Sequence, residues 1–409
     1  MKKRTFVAGI LGNIFDHYDK ALFGLLAPFI APLFFPEKGQ ISALILIYGM
    51  MVLGLLSKPI GALFFGYIGD RYGRKRALSF TLMGMAIVTI GMGCLPTYAQ
   101  VGRAAPMFLG LCRLLQSFFA AGETTGGAIL ILEAAEEGQK SFLSSLYDSS
   151  TILGIFLASG VVTLFSFQRE TFVHFWRVPF FIGSICGIWG FFIRLYLPEP
   201  VQQKQRVSIR EHFSLILKYR AAALPIIFAA GFSYCTYLYA TTFMNGYLPF
   251  VTTITKEQAC RSNTFLLLLD FILLPLFGFL ATRWVKEKLM MWCALLVMVL
   301  AFPLFSLLPN ASSQVAIVVR IVFVTLGVGF AAPFHHWAQE KVPAHVRYTL
   351  VATASALGSQ LIGMPSAAIS LWLYQKTGWV AAPSFYFMGV AGLAAFAILL
   401  AARRPAEVT

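Results

Sequence analysis

The sequence predicts an all-α polytopic membrane protein whose twelve transmembrane helices form two pseudo-symmetric bundles of six. Composition is the first observation: 58% of the 409 residues are hydrophobic and only 12% are charged, whereas about 25% of the residues of a soluble globular domain are charged. The second is a series of twelve apolar stretches that can each cross a bilayer. The third is a repetition of charged landmarks between the two halves of the chain.

The net charge of +15 follows from membrane topology. The basic residues lie in short loops between apolar stretches. Loops on the side of the N-terminus hold roughly three times as many Lys and Arg residues as loops on the other side. We therefore expect both termini in the cytoplasm, a lipid bilayer around the chain, and no nucleic acid as a partner.

Windows of about 19 residues locate the spans. They lie near residues 6–35, 43–66, 77–95, 105–133, 142–166, 178–197, 221–250, 262–281, 289–307, 314–338, 347–372 and 381–402. The longest polar stretch, 198–220, separates the sixth span from the seventh. The sequence therefore predicts an N-terminal six-helix bundle (1–197), a cytoplasmic linker (198–220) and a C-terminal six-helix bundle (221–409).

The two halves carry matching charges. Arg113 and Glu133 in the fourth span have the same separation as Arg320 and Glu340 in the tenth. Internal repeats of this kind are typical of secondary transporters, in which the substrate path lies where the repeats meet.

The loop Gly66–Arg76, between the second and third spans, concentrates glycine and charge. Its glycines permit a sharp turn and a close approach of backbones, and its charges can cap helix ends and pair with carboxylates of facing helices. We interpret it both as a positive-inside anchor and as a latch that closes the inner side of the bundle. The residues assigned to this inner gate are Gly66, Gly69, Asp70, Arg71, Gly73, Arg74, Glu133, Arg283 and Glu340.

Charged residues interrupt the first span. The spacing of Asp16, Asp19 and Lys20 places Asp16 beside both of the others on one helical face. In one interpretation Asp16 and Lys20 neutralise each other and support packing. In the other, Asp16 or Asp19 carries a coupling proton, because a carboxyl group that loses its water binds a proton more readily.

The fourth span brings Arg113 and Gln116 to one face, and Glu123 follows further along the helix. Gly122 and Gly126 flank Glu123 and permit close helix packing. We predict that Glu123 is a second proton or cation site and that Arg113 is its charge partner. The alternative is a structural ion pair between Arg113 and an aspartate of the first span.

Two further acids lie in later spans. Asp148 in the fifth span can pair with Lys58 or Arg113, either as a structural ion pair or as part of the site. Asp270 in the eighth span has no obvious partner and is a further coupling candidate. The predicted proton-coupling and substrate residues are Asp16, Asp19, Lys20, Arg113, Gln116, Glu123 and Asp148.

Histidines and aromatic residues in the second half raise two other possibilities. His336 and Glu340 have the spacing of a metal pair, but no third strong ligand is near, so we expect no metal site. Tyr234, Tyr237, Tyr239 and Trp337 can offer ring faces to a quaternary ammonium group, although packing is the commoner role of such residues.

Short motifs lie along most of the chain, in addition to the inner loop Gly66–Arg76. They are Gly12-Asn13, Asp16-His17-Tyr18-Asp19, Phe34-Phe35-Pro36, Lys58-Pro59-Ile60-Gly61, Gln116 with Ala121-Gly122-Glu123-Thr124-Thr125-Gly126, Trp176-Arg177-Val178-Pro179-Phe180-Phe181, and Pro343 with Arg347-Tyr348. In this order they resemble the motifs of the major facilitator superfamily, in its metabolite:proton symporter family and closest to the proline/glycine-betaine branch, and Gly66–Arg76 resembles the superfamily's signature inner loop.

The resemblance implies the major facilitator fold in a bacterial-type inner (plasma) membrane. It also implies proton-coupled symport of a small polar metabolite by alternating access, with the proton as coupling ion and no other cofactor. The branch implies proline or glycine betaine; dicarboxylates and related organic acids are the alternative. His17 and Lys20 depart from the aromatic residues usual at these positions, and the coiled-coil tail of osmosensing members is absent, so we do not expect osmotic gating.

Other classes of protein fit the sequence less well. It contains no nucleophile elbow, metal cluster or phosphate-cradling loop, so we do not expect an enzyme. A non-transporting sensor would carry a sizeable soluble domain. We expect a monomer that binds a small molecule.

Overall fold

The computed structural model describes residues 3–72, 74–121, 140–168, 170–195, 218–283, 285–343 and 347–402. Across these ranges the regular structure is entirely helical. Helices suit a chain in lipid because all their backbone N–H and C=O groups are satisfied within the segment. Each predicted span coincides, wholly or in part, with a helix or with consecutive helical segments, so the prediction of an all-α, twelve-helix architecture is confirmed.

The first half of the chain contains eight α-helices and a short 3₁₀ turn within the described residues. The helices are α1 (Lys3–Phe34), α2 (Gln40–Val52), α3 (Gly54–Tyr72), α4 (Arg74–Cys94), α5 (Tyr98–Val101), α6 (Ala104–Ala120), α7 (Lys140–Ser166) and α8 (Val178–Leu195), with the 3₁₀ turn at Phe175–Arg177. The second predicted span is therefore divided into α2 and α3, a break that hydropathy alone does not indicate.

The second half contains eight further α-helices within the described residues. They are α9 (Arg220–Leu238), α10 (Met244–Val251), α11 (Lys256–Arg283), α12 (Lys286–Ser306), α13 (Ser313–Glu340), α14 (Arg347–Gly358), α15 (Ser366–Thr377) and α16 (Pro383–Ala402). Two π-helical segments, Tyr239–Phe243 and Ser359–Gly363, interrupt the seventh and eleventh spans. Such segments are frequent at functional sites.

The chain forms two compact units. The first comprises Met1–Leu130 and Ser150–Arg206, and the second comprises Ile131–Ser149 and Val207–Thr409. The start of α7 therefore belongs to the second unit and the rest of that helix to the first.

Large apolar side chains cover the outer faces of both units. Leu56 and Met107 in the first unit are 66% and 73% exposed, and Val299 in the second is 63% exposed. Exposed apolar surface of this extent is unusual for a soluble monomer, and it suits contact with lipid. Nine helical stretches in the described part of the chain are long and apolar enough to cross a membrane, so the chain is a multi-pass membrane protein.

Glycines in both units allow helices to touch through their backbones, and Gly154 and Gly358 are two examples. A Cβ atom at Gly154 of α7 would lie 2.2 Å from the carbonyl oxygen of Ile14 in α1, and a Cβ atom at Gly358 of α14 would lie 2.0 Å from that of Ile227 in α9. Both distances are shorter than any van der Waals contact. Gly154 and Gly358 therefore set the separation of the first span from the fifth and of the seventh from the eleventh.

Candidate functional site

Asp16, Asp19 and Lys20 lie on successive turns of α1. Asp16 and Asp19 are 4% and 5% exposed. Lys20 Nζ donates a hydrogen bond to Asp16 Oδ2, and His17 Nδ1 lies 3.6 Å from the same oxygen. The structure therefore pairs Asp16 with Lys20 and leaves Asp19 to partners on other helices.

Asp19 is held by two side chains from two different helices. Thr89 Oγ1 on α4 donates a 2.6 Å hydrogen bond to Asp19 Oδ1, and Gln116 Nε2 on α6 donates a 3.2 Å hydrogen bond to Asp19 Oδ2. All three side chains are buried. The carboxyl group thus joins the first, third and fourth spans at one point inside the first unit.

Gln116 connects this acid to a buried base. Its Oε1 accepts a hydrogen bond from Arg113 Nη1 while its Nε2 donates to Asp19. Arg113 is 4% exposed, and its guanidinium carbon lies 4.9 Å from the centroid of the Phe23 ring, a cation–π distance. Because one amide joins the acid and the base, a change in the charge of Asp19 alters both bonds of Gln116.

Asp16 and Asp19 also line a small cavity within the first unit. The other lining residues are Phe15, Leu82, Met85, Ala86, Gly183 and Gly187, which offer no polar side-chain atom. An apolar wall beside two carboxyl groups keeps water scarce and strengthens every charge interaction there.

Asn13 fixes the orientation of α1 in the first unit, and its contacts were not predicted. Its Nδ2 donates hydrogen bonds to Ser150 Oγ at 2.8 Å and to Thr151 Oγ1 at 2.9 Å on α7. Asn13 and Thr89 are polar residues within apolar stretches, and Asn13 also belongs to the Gly12-Asn13 motif; these are the signals that the sequence offers for their role.

Asp148 lies beside His335, with 3.7 Å between Asp148 Oδ1 and His335 Nε2. Both residues belong to the second unit. Lys58 and Arg113, the partners expected from the sequence, belong to the first unit, and their pairing with Asp148 stays a prediction. Sequence spacing could not identify His335 as a neighbour of Asp148, because that contact depends on which helices are neighbours.

The C-terminal end of α13 carries a group of charged side chains. Lys286 Nζ on α12 donates a 2.6 Å hydrogen bond to Glu340 Oε1, and His336 Nε2 lies 3.1 Å from the same oxygen. A second pair joins Lys341 to Glu287 at 2.6 Å. The two pairs link the start of α12 to the C-terminal end of α13. Among the described side chains Glu340 has a lysine partner, and its expected pairing with Arg71, Arg74 or Arg283 stays a prediction.

The remaining inner-gate and proton-site residues cannot be placed in the same way. Glu123, Glu133 and Gly73 lie outside the described residues. Only the backbone is described for Gly66, Gly69, Asp70, Arg71, Arg74 and Arg283. The assignment of all these residues stays a prediction.

The two adjacent histidines have different neighbours. His335 lies beside Asp148, and His336 lies beside Lys286 and Glu340. Within the described ranges no three His, Cys, Asp or Glu side chains are grouped as a metal would need.

Two of the four candidate aromatic residues are core residues of the second unit. Tyr239 and Trp337 are fully buried. The Tyr239 ring stacks on Phe387 with centroids 4.2 Å apart, and its hydroxyl donates to the Pro383 carbonyl at 2.8 Å. Tyr234 and Tyr237 stay partly exposed.

Arg320, the second-half counterpart of Arg113, is fully buried but has different partners. Its Nε and Nη2 donate to the carbonyl of Ala240 in the first π-helical segment, at 3.1 Å and 2.8 Å. Further bonds reach Ser262 Oγ at 2.9 Å and Asn263 Oδ1. The repeat therefore preserves the arginine, whereas the acid–amide–base arrangement around Asp19 is found in the first unit.

Comparison with known proteins extends over almost the whole chain. A model of the Major Facilitator Superfamily matches residues 9–367. The chain is 26% identical to a proline/betaine transporter of Salmonella typhimurium, with 95% of this chain and 81% of that protein covered. It is 25% identical to the glycine betaine/proline/ectoine/pipecolic acid transporter OusA of Dickeya dadantii, with the same coverage.

Solved structures share the fold. A crystal structure of a D-xylose-proton symporter superposes with a TM-score of 0.80 over 97% of this chain and 96% of that one, at 14% identity. An inward-open structure of the xylose transporter XylE from E. coli gives a TM-score of 0.75 at 16% identity, over 97% and 95% of the two chains. At these identities the likeness establishes the fold alone.

Proposed function

Since the chain belongs to the Major Facilitator Superfamily, we propose that it is a proton-coupled symporter of a small zwitterionic osmolyte, working by alternating access. The coarser statement, that it is a membrane transporter, follows from the family and from the named relatives. Proton coupling, the substrate and the residues involved are the content of the proposal.

The proposal of proton coupling rests on four linked side chains, those of Thr89, Asp19, Gln116 and Arg113. A carboxyl group inside a membrane bundle is costly in its charged form and is retained where it has a function. Among the described residues, the groups that donate hydrogen bonds to the Asp19 carboxyl group are the Thr89 hydroxyl and the Gln116 amide, both neutral. Neutral donors support the carboxylate, but they hold it less strongly than an ion pair would. Such a carboxyl group can gain and lose a proton within one transport cycle.

Asp16 has a different part in the proposed mechanism. Its bond with Lys20 compensates its charge, so the proposal assigns the exchanged proton to Asp19 and not to Asp16. Two carboxyl groups in one small apolar cavity repel each other when both are charged. Lys20, which departs from the family pattern, limits this repulsion by pairing with Asp16 and is therefore part of the proposed site.

Alternating access follows from a difference in binding between states. A ligand shifts the population of two conformations only through a difference in its affinity for them. We propose that protonation of Asp19 weakens its acceptance of the hydrogen bonds from Thr89 and Gln116. This change loosens the junction of the first, third and fourth spans and permits the loaded transporter to change conformation.

A zwitterionic osmolyte is the substrate class that the relatives support. Their names specify proline, glycine betaine, ectoine and pipecolic acid, all of which combine a carboxylate with a positively charged nitrogen. Organic acids such as dicarboxylates are the alternative, and they lack that nitrogen.

The remaining assignments extend the proposal to the whole chain. We propose six-helix halves at 1–197 and 221–409 with a cytoplasmic linker at 198–220, both termini in the cytoplasm, and a location in a bacterial-type inner membrane. Glu123 is proposed as a second proton or cation site. The inner-gate residues Asp70, Arg71 and Arg74 are proposed to close the cytoplasmic side together with the pair of Glu340 and Lys286.

Uptake by purified protein in liposomes tests the function. Labelled proline and glycine betaine should accumulate above the external concentration under an inward proton gradient, and a protonophore should abolish accumulation. Labelled succinate serves as the organic-acid comparison. Accumulation unaffected by the protonophore would refute proton coupling, and accumulation of succinate alone would replace the osmolyte with an organic acid.

A further inference from the structure

Asp270 lies midway along α11 within the second unit and is 8% exposed. No hydrogen bond or ion pair reaches it from the described residues. The groups near enough to interact with it electrostatically are Asp148, which is another acid, and the phenol of Tyr237. A buried carboxyl group without a cationic partner requires either a proton or a positive charge from outside the protein.

Tyr237, whose phenol interacts with this acid, presents its ring beside that of Tyr234. They are three residues apart on α9 and therefore share a helical face. Their ring centroids lie 6.0 Å apart with an interplanar angle of 55°. Both rings are partly exposed, whereas the neighbouring Phe232 and Tyr239 of the same span are fully buried.

The Tyr234 ring is seated by the second π-helical segment. A Cβ atom at Gly363 would lie 2.7 Å from both Cβ and Cδ1 of Tyr234. Any side chain at Gly363 would therefore displace the ring. The position of this ring depends on an irregular feature of the eleventh span that packing of regular helices would not produce.

A second carboxyl group of the second unit lies near Asp270. Asp148 lies within electrostatic range of Asp270, and its other described neighbour is His335 at 3.7 Å. Asp148 and His335 are themselves partly exposed, at 22% and 35% of their side chains. A polar entrance of this kind beside a buried acid suits the arrival of a cation in a hydrated state.

We propose that Asp270, Tyr234 and Tyr237 bind the ammonium group of the transported solute, the carboxylate as counter-ion and the two rings through cation–π contacts. The inference rests on the proposed function and specifies its ligand as a quaternary or secondary ammonium compound. Aromatic faces favour a large, weakly hydrated organic cation. A small metal ion would require several oxygen ligands, and only the two carboxylates are at hand.

Two ligands of nearly equal shape distinguish the effect of the positive charge on binding from the effect of ligand size. Glycine betaine carries a trimethylammonium group, and 3,3-dimethylbutanoate replaces that nitrogen with a carbon and so removes the positive charge. Binding of each is measured by calorimetry on purified protein in nanodiscs. The variants are Asp270→Asn, Tyr237→Leu and, as the matched control that keeps the ring, Tyr237→Phe.

The wild type should bind glycine betaine at least about tenfold more tightly than the uncharged analogue, a difference of ~1.4 kcal/mol. Asp270→Asn and Tyr237→Leu should each lose that preference through weaker binding of betaine, with binding of the analogue unchanged. Tyr237→Phe should keep the preference within about twofold. Unchanged thermal unfolding of each variant excludes misfolding as the cause.

Three results would overturn the inference, and each has a different consequence for the proposed function. If both variants keep the preference for betaine, the ammonium site is elsewhere and the proposed function stands. If Asp270→Asn binds betaine normally but no longer accumulates it under a proton gradient, Asp270 carries a proton and not the ammonium group. If the wild type binds no ammonium compound, the osmolyte assignment fails with it, while protonophore-sensitive uptake of another solute would preserve proton coupling.

Discussion

Gln116 donates a hydrogen bond from its side-chain amide to the carboxyl group of Asp19 across 3.2 Å. The same amide accepts a hydrogen bond from Arg113. An uncharged glutamine side chain can donate to an acid and accept from a base at once. It therefore links the protonation of Asp19 to the environment of Arg113 without joining them in an ion pair.

Gln116→Leu should reduce substrate uptake roughly tenfold or more. The substitution leaves two buried groups, on Asp19 and Arg113, without one partner each, at a cost of ~1–3 kcal/mol per group. Initial rates of labelled uptake, normalised to folded protein in the membrane, provide the measurement. Leu115→Ala, a change at a 41% exposed position of the same helix, is the control and should have little effect. Wild-type uptake by Gln116→Leu would show that the bridge is dispensable.

Lys20→Ala should destabilise the protein by ~1–3 kcal/mol, since it leaves the buried Asp16 carboxylate without its cation. The loss of stability is smaller than for a fully buried pair because Lys20 is 23% exposed. The double variant with Asp16→Asn should recover part of this stability. Thermal unfolding of the four proteins in one detergent measures the coupling. Equal melting temperatures for Lys20→Ala and the wild type would mean that the pair adds nothing.

Gly358→Ala should lower the melting temperature more than any other single glycine-to-alanine change in α16 or α14. The new Cβ atom would lie 2.0 Å from the Ile227 carbonyl oxygen, which cannot move without displacing α9; overpacking of this kind costs ~1–3 kcal/mol or more. Gly389→Ala is the matched control, because its Cβ atom would meet no atom within 4 Å. If Gly358→Ala and Gly389→Ala have the same melting temperature, α9 and α14 are not in backbone contact.

Glu340→Gln should change the transport rate with almost no effect on stability. Glu340 and Lys286 are 47% and 21% exposed, and an ion pair of that exposure contributes about 0–1 kcal/mol. The charge swap Lys286→Glu with Glu340→Lys should restore part of the rate. Single-turnover exchange and steady-state uptake together measure the effect. Identical rates in Glu340→Gln and the wild type would reduce this pair to an incidental surface contact.

The sequence was sufficient to predict the helices and some of the site. Hydropathy located the spans because a lipid-crossing helix must be long and apolar, and helical spacing placed Asp16 beside Lys20 and Arg113 beside Gln116. The sequence did not predict the contacts between helices. Examples are those of Thr89 with Asp19, Ser150 with Asn13 and His335 with Asp148. Such contacts depend on which spans are neighbours and on how far along the membrane normal each residue lies. Hydropathy constrains neither.

The sequence did not predict the π-helical segments either. Neither Tyr239–Phe243 nor Ser359–Gly363 contains a proline or a break in hydropathy. The first is stabilised by Arg320, which donates to the Ala240 carbonyl from eighty residues away in the chain. A single-sequence pattern contains no information about such a donor.

Proton movement during transport by Asp19→Asn tests the central claim most directly. Asparagine keeps the size of the side chain and can still accept from Thr89, but it cannot carry a proton. Liposomes that contain a pH-sensitive dye receive external glycine betaine or proline, without an initial pH gradient, while labelled substrate is followed in parallel. The wild type should acidify the lumen as substrate enters, and Asp19→Asn should move substrate down its gradient without acidification. Acidification by Asp19→Asn at the wild-type rate, or substrate entry through the wild type with no acidification, would contradict the account.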